Sequence, residues 1–357
     1  MFASKFCKQP GRMLWAAAAV MLLAVDLTHA AKPGGGTVPA GRIYFFGTDI
    51  GVMTSMKADG SDKAPEFEWE PSRLLHNGHR WFLDVRDTPE LGSYPPQGTG
   101  GVVRPRREVF AVRDDGYAVQ LTDDPLTKPQ GSNTGLLRWS HTDSFISFIG
   151  VQWDANDVVR GVICAASIVF VDGIPMLIEA PSVWMDSGIW KDGGFTYPDL
   201  QGHDWSPAGT ELVFCELVGG DIWQAGGVYP ELYVTKFDTE VVTAFLDYGS
   251  WPEFSANGRI VFGRYNTSGS GHGTIWTVLP SGTEFFQVTS PSAAARDYYP
   301  TWSPDSKQIA MTRSFRKTSG GNTHYDYDVL RVGATGGTAL NLTKDIDGGI
   351  LIVAGWR

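Results

Sequence analysis

A chain of 357 residues with 42% hydrophobic content can bury a sizeable core, and its 43 Gly, 13 Trp and 12 Tyr favour strands and tight turns over helices. The 39 acidic side chains outnumber the 29 basic ones, and the resulting net charge of −10 argues against nucleic acid or an anionic membrane as partner.

Lys5, Lys8 and Arg12 precede an apolar run from Met13 to Val25, which closes on Thr28-His29-Ala30. This is the layout of a secretory signal peptide over residues 1–30, with a mature start at Ala31 or Lys32 and a periplasmic or secreted destination. The apolar run falls short of the roughly 20 residues that cross a bilayer, so no stable membrane span is predicted. Residues 31–41 are rich in Gly and Pro and read as a flexible lead, leaving 42–357 as a single domain. Cys164 and Cys215 both sit in hydrophobic segments, and the sequence leaves open whether they pair.

Short strands succeed one another from Ile43 onwards. Ile43-Tyr44-Phe45-Phe46 and Val52 to Met56 come first, the latter ending on the turn Asp59-Gly60-Ser61. A phrase made of an aromatic residue, a small polar turn and a hydrophobic strand then recurs. It stands at Trp139-Ser140, Trp205-Ser206, Phe254-Ser255 and Trp302-Ser303, with Leu74 in the aromatic slot of a degenerate first copy and Trp356 near the C-terminus. The intervals from Trp139 onwards are 66, 49, 48 and 54 residues, a period that belongs to propellers, solenoids and arrays. Each unit can be written as four strands. The aromatic closes strand a. Strand b comes after the turn (Trp81-Phe82-Leu83, Leu212-Val213-Phe214, Ile309-Ala310-Met311), then c (Val109 to Val112, Ile275 to Val278, Val329 to Val332) and d (Val119 to Leu121, Phe286 to Val288, Leu340 to Leu342). Five units begin near residues 70, 134, 200, 249 and 298. A sixth is split: Ile352 to Trp356 supplies strand a, and the N-terminal segment supplies the rest. The prediction is an all-β, six-bladed β-propeller whose last blade is closed by the N- and C-terminal strands, which removes open sheet edges.

Trp302-Ser303-Pro304-Asp305-Ser306, Trp205-Ser206-Pro207 and Lys57-Ala58-Asp59-Gly60-Ser61 resemble TolB-type propeller repeats over roughly residues 42–357. The resemblance implies the propeller fold. It departs at Leu74 and at His141-Thr142-Asp143, which replaces Pro-Asp-Gly.

Strands that alternate in direction put the d-to-a and b-to-c connections on one face. The a-to-b and c-to-d turns lie on the other. The second set is tight, as at Asn77-Gly78, Asp115-Gly116, Asp172-Gly173 and Ser281-Gly282. Long connections, at 86–107, 180–203, 216–228, 264–273, 290–300 and 314–326, gather on the first face, where binding groups on a rigid scaffold are expected. Its candidate ligand-binding residues are Trp190, His203, Asp204, Trp223, Trp251, Glu253, His272, Asp297, Tyr298 and Tyr299. The residues two before each aromatic, Leu137, His203, Pro252, Pro300 and Ala354, should ring the central channel, with His203 the polar exception.

No Gly-x-Ser-x-Gly elbow, phosphate loop or closely spaced cysteine pair occurs, so no catalytic residue, cofactor or metal set is predicted. The reading is an exported, non-catalytic propeller that binds a protein, peptide or glycan through its long-loop face. The alternative is a polysaccharide-degrading lyase or hydrolase, possible with metal assistance, because some oligogalacturonate lyases have repeats similar to these and hold a metal with axial histidines. The oligomeric state is left open.

Overall fold

Aromatic and β-branched residues alternating with polar ones give strands throughout, and no helix occurs among the described residues of this computed structural model. The structure describes residues 41–48, 50, 53–66, 74–76, 79–94, 102–113, 115–124, 127–129, 137–153, 159–189, 200–219, 228–236, 242–264, 273–319, 321–346 and 349–356. Pro39–Arg357 forms one compact unit.

Blade one contains Leu74–His76, His79–Tyr94, Val102–Arg113 and Ala118–Gln120 in that order across the sheet. Leu74 pairs with Trp81, the same seven-residue step that joins Trp139 to Ile146 and Trp205 to Leu212, so Leu74 does occupy the aromatic slot. Blade two is built on the antiparallel pair Phe145–Trp153 and Val159–Val171. Blades three and four share one seven-stranded sheet because a single strand, Val242–Phe254, serves both. Its first half pairs with Val228–Lys236 and its second half with Ile260–Arg264, with a register shift between Ser250 and Glu253. Blade five is Ala295–Trp302, Gln308–Ser319, Asn322–Gly333 and Gly336–Asn341. In the last sheet the C-terminal strand Leu351–Trp356 lies against Arg42–Gly47, with Trp356 opposite Ile43.

The reason for the recurring aromatic is visible in the packing. Each aromatic of strand a is buried against the preceding blade: Trp139 with Trp81 and Leu83, Trp205 with Ile149 and Ile163, Phe254 with Val213 and Leu232, Trp302 with Val261 and Ile275, Trp356 with Ala310 and Val329. The serine after it ties the a-to-b turn. Ser140 accepts from the Phe145 N–H at 3.1 Å, Ser206 from Glu211 at 3.0 Å, Ser255 from Arg259 at 2.9 Å and Ser303 from Gln308 at 2.9 Å. Three residues past that serine the backbone is left-handed in every copy, at Asp143, Gly209, Gly258 and Ser306.

A second buried device, which the sequence patterns above do not reveal, comes after strand d. Thr122, Thr289 and Thr343 each accept from a backbone N–H of strand c, at Val109, Ile275 and Val329, at 2.8 to 2.9 Å. Its signal is the repeated pair Leu121-Thr122, Val288-Thr289 and Leu342-Thr343.

Several of the long connections contain strand: 180–203 includes Ser182–Ile189, paired with Val159–Val171, and 290–300 enters Ala295–Trp302, while two more are hairpins. Segment 86–107 is largely a hairpin of His79–Tyr94 with Val102–Arg113, and 314–326 continues the pairing of Gln308–Ser319 with Asn322–Gly333 out to Ser319 opposite Asn322. Cys164 and Cys215 are both free, lie in different hydrophobic clusters, and have thiols that burial pushes up, to about 12 for Cys215.

Candidate functional site

The innermost strands of blades two to six converge on one small cavity, lined by Arg138, His203, Trp251, Glu253, Tyr299 and Ala354 together with Gly202, Pro252, Pro300, Thr301 and Val353. Its volume is about 20 Å³, enough for a water but not for a sugar ring. Four of the five residues expected at the channel, His203, Pro252, Pro300 and Ala354, line it. Leu137 does not. It packs in the core between blades one and two, and its neighbour Arg138 takes the lining position.

His203 is fully buried, and its Nε2 lies 2.7 Å from Ser147 Oγ, which also accepts the Trp205 indole N–H at 2.7 Å. Arg138 Nε donates to the His203 carbonyl at 3.1 Å and sits 3.5 Å from Asp204 Oδ1. The Asp204 carboxylate, wholly buried, accepts the N–H of Phe254 in the next blade at 2.8 Å. Glu253 repeats this one blade on, accepting the Trp302 N–H at 3.2 Å and the Thr301 hydroxyl at 2.9 Å. Both carboxylates stand one residue before a repeat aromatic, and both fasten the next blade. Asp297 is likewise committed: it is fully buried and forked to Arg313, at 2.6 and 2.8 Å.

The aromatics behave differently. Gly202, Trp251 and Tyr299 occupy one repeat slot, three residues before the aromatic, where the strand bulges and the backbone turns left-handed, with φ of 125°, 54° and 49°. Glycine fits such a slot without strain, whereas a bulky side chain there is an outlier that costs on the order of 1–3 kcal/mol. Trp251 and Tyr299 nonetheless carry large rings, and these meet with centroids 4.3 Å apart. Tyr298 adds an edge contact to Trp251 at 5.8 Å. Behind them lies Gly263, where an added Cβ would come within 3.2 Å of the Trp251 ring and crowd it. Burial, and then the neighbouring Tyr298 and Tyr327, raise the Tyr299 phenol above its ordinary range.

The structure thus brings together His203, Trp251, Glu253 and Tyr299 at the cavity, with Tyr298 alongside, and directs Asp204 and Asp297 inward to other groups. Trp190, Trp223 and His272 lie outside the described residues. Among the described residues no three His, Cys, Asp or Glu side chains gather as a metal site would require. His324 is exposed on its hairpin, 3.8 Å from Asp326. Arg138, Gly202, Thr301 and Val353 line the cavity without having been singled out in the sequence, although Arg138 stands in the same slot before the aromatic as Glu253.

The sequence matches no family model and no curated protein. Among solved structures, the putative TolB from Agrobacterium tumefaciens is 14% identical, with 85% of this chain and 88% of that chain covered and a TM-score of 0.45. The chain is similar in fold to TolB. TolB from Acinetobacter baumannii is 13% identical over 81% of this chain and 64% of that one, TM-score 0.44. An oligogalacturonate lyase in complex with manganese is 10% identical over 84% and 72%, TM-score 0.45. At these identities the likeness is one of fold alone.

Proposed function

We propose that this is an exported, non-catalytic β-propeller that binds a protein or peptide at the axial mouth of its long-loop face, with Trp251, Tyr298 and Tyr299 as anchors. One observation carries the reading: two bulky aromatics keep a left-handed backbone in a slot where blade three has glycine, and their rings pack on each other beside the cavity. Strain held by otherwise regular repeats is a mark of function. Large amphipathic rings on a rigid base bury much area at small entropic cost, and such residues dominate binding hot spots. The narrow cavity favours a partner that lies across the mouth and inserts at most a side chain. Export rests on the N-terminal layout of Lys5 to Ala30.

The test is affinity capture from an envelope extract with the mature protein, repeated with Trp251→Ala. A specific partner should be retained by the first and weakened by about 1–3 kcal/mol in the second, with the melting temperature little changed. Retention unaffected by Trp251→Ala and Tyr299→Ala would place the binding surface elsewhere.

A further inference from the structure

On the opposite face, a cleft of about 480 Å³ opens between blades four and five, lined by Phe285, Phe286, Arg259, Glu284, Asn257 and Ser306 among others. That volume is within the range of small-molecule sites, roughly 300–1,000 Å³.

The repeat itself shows which parts of the cleft the fold needs. In blade six, Arg42 donates to the Asp62 carboxylate at 2.9 Å and to its carbonyl at 2.6 Å, across a turn with left-handed Gly60 and Asp62. Blade four repeats this with Arg259 and Glu284, at 3.0 and 2.6 Å, and with left-handed Gly282 and Glu284. The clamp therefore belongs to the scaffold. The two residues after it are not shared. Blade six continues with Lys63-Ala64, where Lys63 reaches Asp345 at 3.0 Å. Blade four continues with Phe285-Phe286, whose side chains stay 39% and 42% exposed.

A second departure faces the same cleft. Ser306 stands, with a φ of 58°, in the left-handed slot that Gly209 and Gly258 fill in blades three and four and Asp143 in blade two. The residue is only 9% exposed, and its hydroxyl is buried without a hydrogen-bond partner. A strained serine with an unmet hydroxyl meets two half-exposed rings here, of which Phe285 edges onto the buried Phe262 at 6.5 Å.

The chemistry selects the occupant. Of the residues lining the cleft, Arg259 and Glu284 carry charge and neutralise each other, so the cleft favours an uncharged ligand. The exposed rings call for an apolar ring face, and the Asn257 amide and Ser306 hydroxyl call for hydroxyl partners. We propose that this cleft binds a neutral pyranose unit of a glycan, stacked on Phe285 and Phe286 and hydrogen-bonded to Asn257 and Ser306. This site is independent of the axial mouth.

Calorimetric titration of the mature protein with cellohexaose, chitohexaose and maltohexaose, and separately with N-acetylphenylalaninamide, tests it. Saturable binding of at least one hexaose is expected, weakened about tenfold by Phe286→Ala and also reduced by Ser306→Gly, a change the left-handed backbone favours. Both substitutions leave buried packing intact, and an unchanged melting curve verifies the fold. Absence of binding by all three hexaoses would overturn the proposal, as would binding of the phenylalanine amide alone, which would mark a peptide cleft. Hexaose binding that survives Phe285→Ala and Phe286→Ala but is lost with Trp251→Ala would also overturn it, by placing the sugar at the axial mouth.

Discussion

Asp297 shows how an attractive candidate can be spent on structure. In the sequence it stands beside two tyrosines in a connecting segment, as a ligand would, yet its carboxylate is fully buried and forked to Arg313. Removing one partner of such a pair leaves the other charge buried and unmatched. Asp297→Ala should therefore cost about 3–5 kcal/mol in urea unfolding, far more than a surface carboxylate, and a loss below 1 kcal/mol would mean the pair is solvated. Trp251 and Tyr299 present the reverse case. The sequence marks both as aromatics near the face, but not that they share a left-handed slot with Gly202, because backbone sign is legible only where glycine announces it.

Between blades, the carboxylates of Asp204 and Glu253 act as latches onto the next aromatic's N–H. Asp204→Ala should cost about 1–3 kcal/mol by leaving the Phe254 N–H without its acceptor, whereas Asp204→Asn keeps an oxygen there and should recover much of that loss. Equal losses in the two variants would assign the effect to charge near Arg138 instead. Blade one offers a pH test. Burial raises the Glu108 carboxyl above its ordinary range, against the opposing hydrogen bonds from Thr122 and Arg106. A group whose folded pKa exceeds its unfolded one binds more protons when folded, so its contribution to stability falls as pH rises from the ordinary carboxylate range through the raised value. Glu108→Gln should flatten that decline in denaturation midpoints measured across weakly acidic pH. An identical slope in both proteins would contradict the assignment. The strands themselves were legible because period-two apolarity and Gly turns mark them. The hairpins that extend through 86–107 and 314–326 were not, because strands that project beyond the sheet bury no regular face.

For the whole molecule, the complementary fragments at the two ends were readable in the sequence, and Leu351–Trp356 pairs with Arg42–Gly47. Trp356 is buried, and its indole donates to the Gly41 carbonyl at 3.1 Å. Deleting residues 352–357 should cost at least the about 3–5 kcal/mol of a lost buried Trp, seen as a large drop in melting temperature. A shift of a degree or two would mean that the terminal strand contributes little. Function was less legible than fold, because the repeat's own serines, carboxylates and aromatics look like site residues until their partners are seen. The central claim is that the mouth beside Trp251 and Tyr299 is the protein-binding surface. It is tested most directly by placing a photo-cross-linking amino acid at 251 and, in a second protein, at Ser281 on the tight-turn face, and irradiating both in an envelope extract. A discrete protein adduct from position 251 and none from 281 is the predicted result, whereas an adduct from 281 with none from 251 would contradict it.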